Sequence, residues 1–287
     1  MRMGKFFGKI VPVVAMAFAA GVSGCDNIKM NINGSDFDGK PLAEIDLSGS
    51  APTEVALMGP DIVTITEGSK FAITVSGTDA AKDRMRFNLD GDNIAIGRAK
   101  GDWKDGDNAT VKIVLPSVKE LVLAGSGTIT SESLDGEAEI NVLGSGRVDV
   151  AKVAASKLEI NIAGSGSLKA SGTADELDMS IMGSGNSDLS GLEVGNADVN
   201  VMGSGDAQFA SDGKVDASIM GSGSITVRGS ATCEVSSMGS GTLRCEAGES
   251  RGAAEAAPAA TETPEAGEAP DAPESPEAPE APEAPDA

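Results

Sequence analysis

Apolar and polar residues alternate with period two along most of the chain between positions 36 and 245, as in Phe71-Ala72-Ile73-Thr74-Val75, Val111-Lys112-Ile113-Val114-Leu115 and Leu158-Glu159-Ile160-Asn161-Ile162. Successive side chains leave a strand on opposite faces, so this alternation predicts strands with one buried face rather than helices. The second half adds a repeat. Gly-Ser-Gly occurs seven times, starting at Gly125, Gly144, Gly164, Gly183, Gly203, Gly221 and Gly239, at spacings of 19, 20, 19, 20, 18 and 18 residues. A fixed period of this size marks a solenoid, in which one repeat is one coil and buries its apolar side only against its neighbours.

Each period reads as a strand, a Gly-Ser-Gly corner, a shorter strand with pairs such as Val148 and Val150 or Ile225 and Val227 on one face, and a polar return such as Ser171-Gly172-Thr173-Ala174. Residues 121–245 are therefore expected to form an all-β parallel β-helix, and coils about 4.8 Å apart give a body on the order of 34 Å long. The corner glycines suit backbone angles that other residues avoid, and the Ser between them is expected to stack coil on coil. Residues 36–120 alternate but lack the corner, and read as less regular coils or as a cap over the first sheet edge.

The ends of the chain follow other patterns. Residues 1–24 open with Arg2, Lys5 and Lys9, run apolar from Ile10 to Ala20 and end in Val22-Ser23-Gly24 before Cys25, the layout of an export signal. The small residues before the Cys resemble the lipobox of bacterial lipoproteins, which implies cleavage in front of Cys25, lipidation of Cys25 and attachment to a membrane of the bacterial cell envelope. Asp26 resembles an inner-membrane retention signal of enteric bacteria, and the choice of membrane stays open. From Glu246 onward the apolar pattern stops, 8 of the 13 prolines gather, and acids fall at every third position from Glu262 to Asp286. Such a stretch reads as a disordered Pro/Glu/Ala-rich tail, either a carboxylate stripe on polyproline II or a soluble spacer. The expected organisation is a leader over 1–24, a linker over 25–49, a head domain over 50–245 and a tail over 246–287.

Charge and composition narrow the chemistry. With Lys+Arg 22 against Asp+Glu 44 the formal charge is −22, which excludes nucleic acid as a natural partner. The absence of His and Tyr removes imidazole bases, His-type zinc sites and His-containing triads. Beyond the leader, Phe37, Phe71, Phe87, Phe209 and Trp103 are the aromatic rings, few for stacking on sugars.

Five residues before each Gly-Ser-Gly stands an acid: Glu120, Glu139, Glu159, Asp178, Asp198, Asp216 and Glu234. Two positions on come Asn141, Asn161, Ser180, Asn200, Ser218 and Ser236, with Val122 the exception. In stacked coils these become an acid column beside an amide and hydroxyl column. Carboxylates so close raise one another's pKa and invite a hard cation, weakly bound calcium being the cofactor they suit; the other reading is a solvated face that keeps the sheet from associating. Asp90-Gly91-Asp92-Asn93 and Asp105-Gly106-Asp107-Asn108 read as turns before calcium loops. Met182, Met202, Met220 and Met238 precede the last four corners and are expected inside the coil as gap-fillers, the alternative being an outer binding stripe. Cys233 and Cys245 lie in the inward register around the final corner, and an even pair in an exported chain reads as a disulfide, with free buried thiols as the alternative.

The stretch Gly59-Pro60-Asp61-Ile62-Val63-Thr64-Ile65-Thr66-Glu67-Gly68, the segment Leu115-Pro116-Ser117-Val118-Lys119-Glu120-Leu121 and the Gly-Ser-Gly coils resemble the head GIN domain family over about residues 50–245. That family carries the label of auto-transporter adhesin, and the resemblance implies a right-handed parallel β-helix and no enzyme activity. The expected function is a lipid-anchored, non-enzymatic envelope module for adhesion, scaffolding or binding an envelope protein or polymer. The alternative on the same fold is a calcium-dependent enzyme acting on polysaccharide, or a glycan binder.

Overall fold

The computed structural model describes residues 37, 39–99 and 107–247. The leader, Cys25, Asp26, Trp103 and the tail from 248 lie outside the described residues.

The first two strands, β1 (Glu54–Met58) and β2 (Ile62–Glu67), form a coil whose corner is Gly59-Pro60-Asp61. Then come β3 (Ala72–Ser76), helix α1 (Asp79–Arg84), β4 (Met85–Asp90), β5 (Asn93–Arg98) and β6 (Thr110–Leu115). The regular coils begin at β7 (Glu120–Gly125) and β8 (Thr128–Gly144) and continue through β9 (Arg147–Gly164), β10 (Ser167–Gly183) and β11 (Asn186–Gly203). The last coils are split into β12 (Asp206–Ser211), β13 (Lys214–Gly221), β14 (Ser224–Gly229), β15 (Thr232–Gly239) and β16 (Thr242–Ala247). The long strands bend through the polar return, so one strand runs from one corner to the next. The result is an all-β solenoid of about seven turns, as the 19-residue period predicts.

From β7 onward every inter-coil pairing is parallel and the strands leading into the corners stack in register, corner upon corner, while the register shifts within the polar returns, where coils of 18 to 20 residues take up their difference in length. Inward positions make continuous columns, such as Leu121, Ile140, Ile160, Met179 and Val199, or Leu123, Val142, Ile162, Ile181, Val201 and Ile219, all buried. Fully burying each such side chain stabilises the fold by roughly 1.5–3 kcal/mol, and the columns supply the cohesion between coils.

The N-terminal end is assembled out of sequence order. Strand β1 lies between β7 and β5, and β2 lies between β8 and β6, so the β5/β6 coil sits outside the coil that precedes it in the chain. Strands β4 and β3 then pair antiparallel with β5 and β6 and close that end. Residues 36–120 are thus both irregular coils and cap. Lys40 bridges Phe87 on β4, and Leu42 and Ile45 pack on the core, so the head draws in residues ahead of position 50.

Asp90 and Asn93 face each other in the β4–β5 hairpin with Gly91 at φ 58°, so this Asp-Gly pair makes a turn. In the second Asp-Gly stretch, Asp105 and Gly106 lie outside the described residues; Asp107 accepts a 2.6 Å hydrogen bond from Thr78, the N-cap of α1. Its role is to tie the helix to the cap.

At the other end Cys233 and Cys245 are joined as a disulfide between β15 and β16, their Cα atoms 6.6 Å apart. Each stands in an inward column, beyond Val215 and Val227, and Ser237 replaces the Ile or Val of the preceding coils. A terminal coil has one neighbour instead of two, so a covalent tie compensates for missing contacts. Cys233→Ser with Cys245→Ser should cost the last coil about 2–4 kcal/mol in the chain-entropy picture. Thiol titration of the purified, denatured wild type checks the premise, since two free thiols would refute it.

Candidate functional site

Stacking in register turns every outward strand position into a column. The seven predicted acids do form one, with Glu120, Glu139, Glu159, Asp178, Asp198, Asp216 and Glu234 directly paired from coil to coil. The structure adds Glu54 beyond Glu120, and Asn93 beyond Glu54. Glu54 escapes a search keyed to Gly-Ser-Gly because its corner is Gly59-Pro60-Asp61, although Gly59 stands at the same five-residue distance.

The next outward column holds Asn141, Asn161, Ser180, Asn200, Ser218 and Ser236. Its amides serve the acids: Asn141 Nδ2 donates to Glu139 at 2.7 Å, Asn161 Nδ2 to Glu159 at 3.3 Å and to Asn141 Oδ1 at 3.1 Å, and Asn200 Nδ2 to Asp198 at 2.8 Å. Upstream of this row Ala56 and Val122 form a small outer apolar cluster with Ala95, and Phe37 and Met58 pack against it. Val122, the exception in the sequence pattern, belongs to this apolar cluster rather than to the amide and hydroxyl row.

Two lysines that the sequence pattern does not single out stand beside the acids. Lys157 Nζ lies 2.7 Å from Asp178, and Lys214 Nζ lies 3.1 Å from Asp216 and 3.5 Å from Glu234. Each occupies the outward position two residues ahead of the acid in its own coil, a spacing visible in Lys157/Glu159 and Lys214/Asp216. They offset the like-charge repulsion that the column would otherwise impose. A hard cation takes six to eight oxygens, and among the described residues no three acidic or thiol side chains converge on one point. The lysines are bound in ion pairs rather than set beside a metal-holding trio.

At the upstream end burial and crowding outweigh the lysine, for Lys157 lowers Glu139 only as its smallest influence. Burial first, then the neighbouring carboxylates of Glu139 and Glu54, push Glu120 up to about 7; its Oε1 is buried and accepts no hydrogen bond. Glu139 is raised as well, by burial and by Glu159, against the amide of Asn141. An acid with a folded pKa above its unfolded value stabilises the fold fully below the unfolded pKa and loses that contribution as pH rises through the folded one. Between about pH 4.5 and 7 the head should lose roughly 1–2 kcal/mol on this account, since solvent at the half-buried carboxyl screens part of the effect. Melting temperature followed from pH 5 to 8 should fall in the wild type and fall clearly less in Glu120→Gln, in which Glu139 still titrates high. A parallel fall in both would show that Glu120 is not the titrating group.

The third outward column is Met58, Ala124, Leu143, Ala163, Met182, Met202, Met220 and Met238, and here the structure overturns an expectation. The methionines are not interior gap-fillers: Met202 and Met220 are 49% exposed and Met238 is 70% exposed. The reason is the period of two itself. Ile181, Val201 and Ile219 occupy the inward position immediately before them.

The corner serines form an exposed row, and what stacks is their backbone: Ser145, Ser165, Ser184, Ser204, Ser222 and Ser240 each donate N–H to the first corner glycine of the preceding coil at 2.8–3.0 Å. A cavity of about 350 Å³ lies elsewhere, on the capping hairpin, lined by Gly39, Lys40, Glu44, Ile45, Asp46, Phe87, Asn88 and Leu89.

Solved structures share this architecture. A crystal structure described as a putative adhesin from Bacteroides fragilis has a TM-score of 0.65 at 22% identity, over 68% of this chain and 93% of that one. One described as a putative lipid binding protein from Parabacteroides distasonis has a TM-score of 0.54 at 22% identity, over 68% and 93%. One described as a putative adhesin from Parabacteroides merdae has a TM-score of 0.50 at 21% identity, over 68% and 92%. At these identities the likeness is one of fold. No curated protein matches the chain. The sequence profile of the family described as "Putative auto-transporter adhesin, head GIN domain" matches residues 51–231, more than half of the chain and nearly the whole solenoid. The chain belongs to the head GIN domain family.

Proposed function

We propose that the protein is a non-enzymatic module of the bacterial cell envelope that binds a protein or polymer partner for adhesion or scaffolding, held to a membrane through lipidated Cys25. The observation that carries this reading is the outer face of the solenoid. Three columns, acidic, amide or hydroxyl, and apolar, run in register through the coils, a repetitive surface suited to an extended partner. An enzyme would need a pocket with a positioned base, whereas this face is an open, repetitive surface whose lysines lie beside the acids as exposed counter-charges. Family membership and the adhesin descriptions of its structural neighbours support the same direction.

The anchor is tested by Cys25→Ser. Wild type should fractionate with membranes as a processed, lipidated chain, and the variant should remain unprocessed and lose its lipid label. Processing and labelling unchanged in the variant would remove Cys25 from the account. Partner binding is tested by recovering what co-purifies with the lipidated form, and by asking whether recovery is lost in a chain whose outer face is altered at Glu159, Asp178 and Asp198.

A further inference from the structure

We propose that the outer face bearing the methionine column is the docking surface for a cationic amphipathic helix of another polypeptide. This deepens the binding-module reading, on which it rests, by naming the partner's chemistry.

The first observation is exposure. Met202, Met220 and Met238 pair coil to coil and stand 49%, 49% and 70% exposed, an aligned strip of flexible, polarisable side chains with no described segment over it. The second is a precedent within the molecule. The same face at its upstream end takes an apolar side chain from outside the coils, for Phe37 packs with Met58 against Ala56, Ala95 and Val122. The methionine strip continues the column that begins at Met58.

The third observation is charge. From Met182 to Met238 the strip runs beside Asp178, Asp198, Asp216 and Glu234, four carboxylates that face two ammonium groups, Lys157 and Lys214, in exposed pairs that are worth little and exchange readily. A second copy of this chain, at −22, would be repelled, as would an anionic lipid surface. A cationic partner is attracted.

Geometry selects the helix. Acid and methionine stand four residues apart on a strand, roughly 13 Å, and a helix with its side chains is about 10–12 Å across. Laid along the solenoid axis over the Asn/Ser row, it would set Lys or Arg against the acids and Leu or Met against the methionines. From Met182 to Met238 is three coil steps, roughly 14 Å, or about ten residues of helix.

The test uses the full chain and two synthetic helical peptides with the same lysine pattern, one with leucine on its apolar face and one with glutamine there. The leucine peptide should bind about tenfold tighter by fluorescence anisotropy, and Met202→Gln with Met220→Gln should remove the difference while leaving the melting temperature unchanged. Raising sodium chloride to about 0.5 M should weaken the leucine peptide about tenfold. Equal binding of the two peptides, or a double variant that binds like wild type, overturns the proposal. So does capture of the wild type, but not the double variant, by anionic vesicles, which would make the face a lipid contact. Protection of Met202 and Met220 from peroxide in the unliganded chain, relieved by deleting residues 26–36, would make the chain's own leading segment the occupant and also overturn it. Cys25→Ser fractionation does not involve the methionines, so a failed anchor and a failed docking face are told apart.

Discussion

Replacing Gly144 by alanine should lower the stability of the head by about 3–5 kcal/mol, while Ser145→Ala next to it should change stability by less than about 0.5 kcal/mol. Gly144 sits at φ 120°, where an L side chain is strained by about 1–3 kcal/mol. A Cβ there would also lie 2.6 Å from the carbonyl oxygen of Gly125 and 3.2 Å from its carbonyl carbon. Backbone cannot swing aside as a side chain can. The coils must part, and the 3.0 Å bond from Ser145 N–H to Gly125 O goes with them. The second corner glycine is needed for space alone: at Gly146 a Cβ would meet Gly127 O and Leu123 Cδ2, each at 2.6 Å. Ser145 points its hydroxyl to solvent, and only its backbone takes part in the stack. Thermal and urea melts of the two variants make the comparison. Equal melting of Gly144→Ala and wild type would mean that the corner tolerates a wider spacing, contrary to the contact above.

The regular coils were legible because a solenoid writes its contacts locally. A residue's partner in space is the residue one period away, so the spacing of Gly-Ser-Gly fixed strand, corner and register together, and the acid column followed without a structure. Legibility failed where partners lie at other separations. The order β5, β1, β7 cannot be read from a period, since the β5/β6 coil follows β1/β2 in the chain but stacks outside it. Glu54 was hidden because its corner is Gly59-Pro60-Asp61 and not Gly-Ser-Gly. The methionines were a different kind of miss: the alternation that puts Ile181 inside also puts Met182 outside, and treating an apolar residue as an interior one overrode the period. Lys157 and Lys214 show that the sign of a face depends on the neighbouring outward row as well as on its own.

Besides the β1–β5 and β2–β6 ladders, a buried ion pair ties the cap to the first coil, and removing its arginine should be the most damaging change of charge in the head. Asp61, fully buried at the first corner, accepts 2.6 Å hydrogen bonds from Nε and Nη2 of Arg98, the last residue of β5. Asp61 Oδ1 also accepts from the backbone N–H of Ala109 at 2.8 Å, and Arg98 Nη2 donates to the Asp107 carbonyl at 3.0 Å and to Asn108 Oδ1 at 3.1 Å. The pair therefore fills the corner beneath Gly125-Ser126-Gly127 and gathers β2, β5 and the start of β6 around one point. Burying two charges is costly, so the pair as a whole need not add much net stability; removing Arg98 strands the Asp61 carboxylate in a dry site, at about 3–5 kcal/mol, while removing Asp61 takes from Arg98 its bidentate partner and leaves it the oxygens of Asp107 and Asn108. Arg98→Met should reach that size and Asp61→Leu a smaller one, and the double variant should lose markedly less than their sum. Denaturant melts of the four chains give the coupling. A double variant as unstable as the two singles added together would mean that the side chains act separately, through the hydrogen bonds to Ala109, Asp107 and Asn108 rather than through the ion pair.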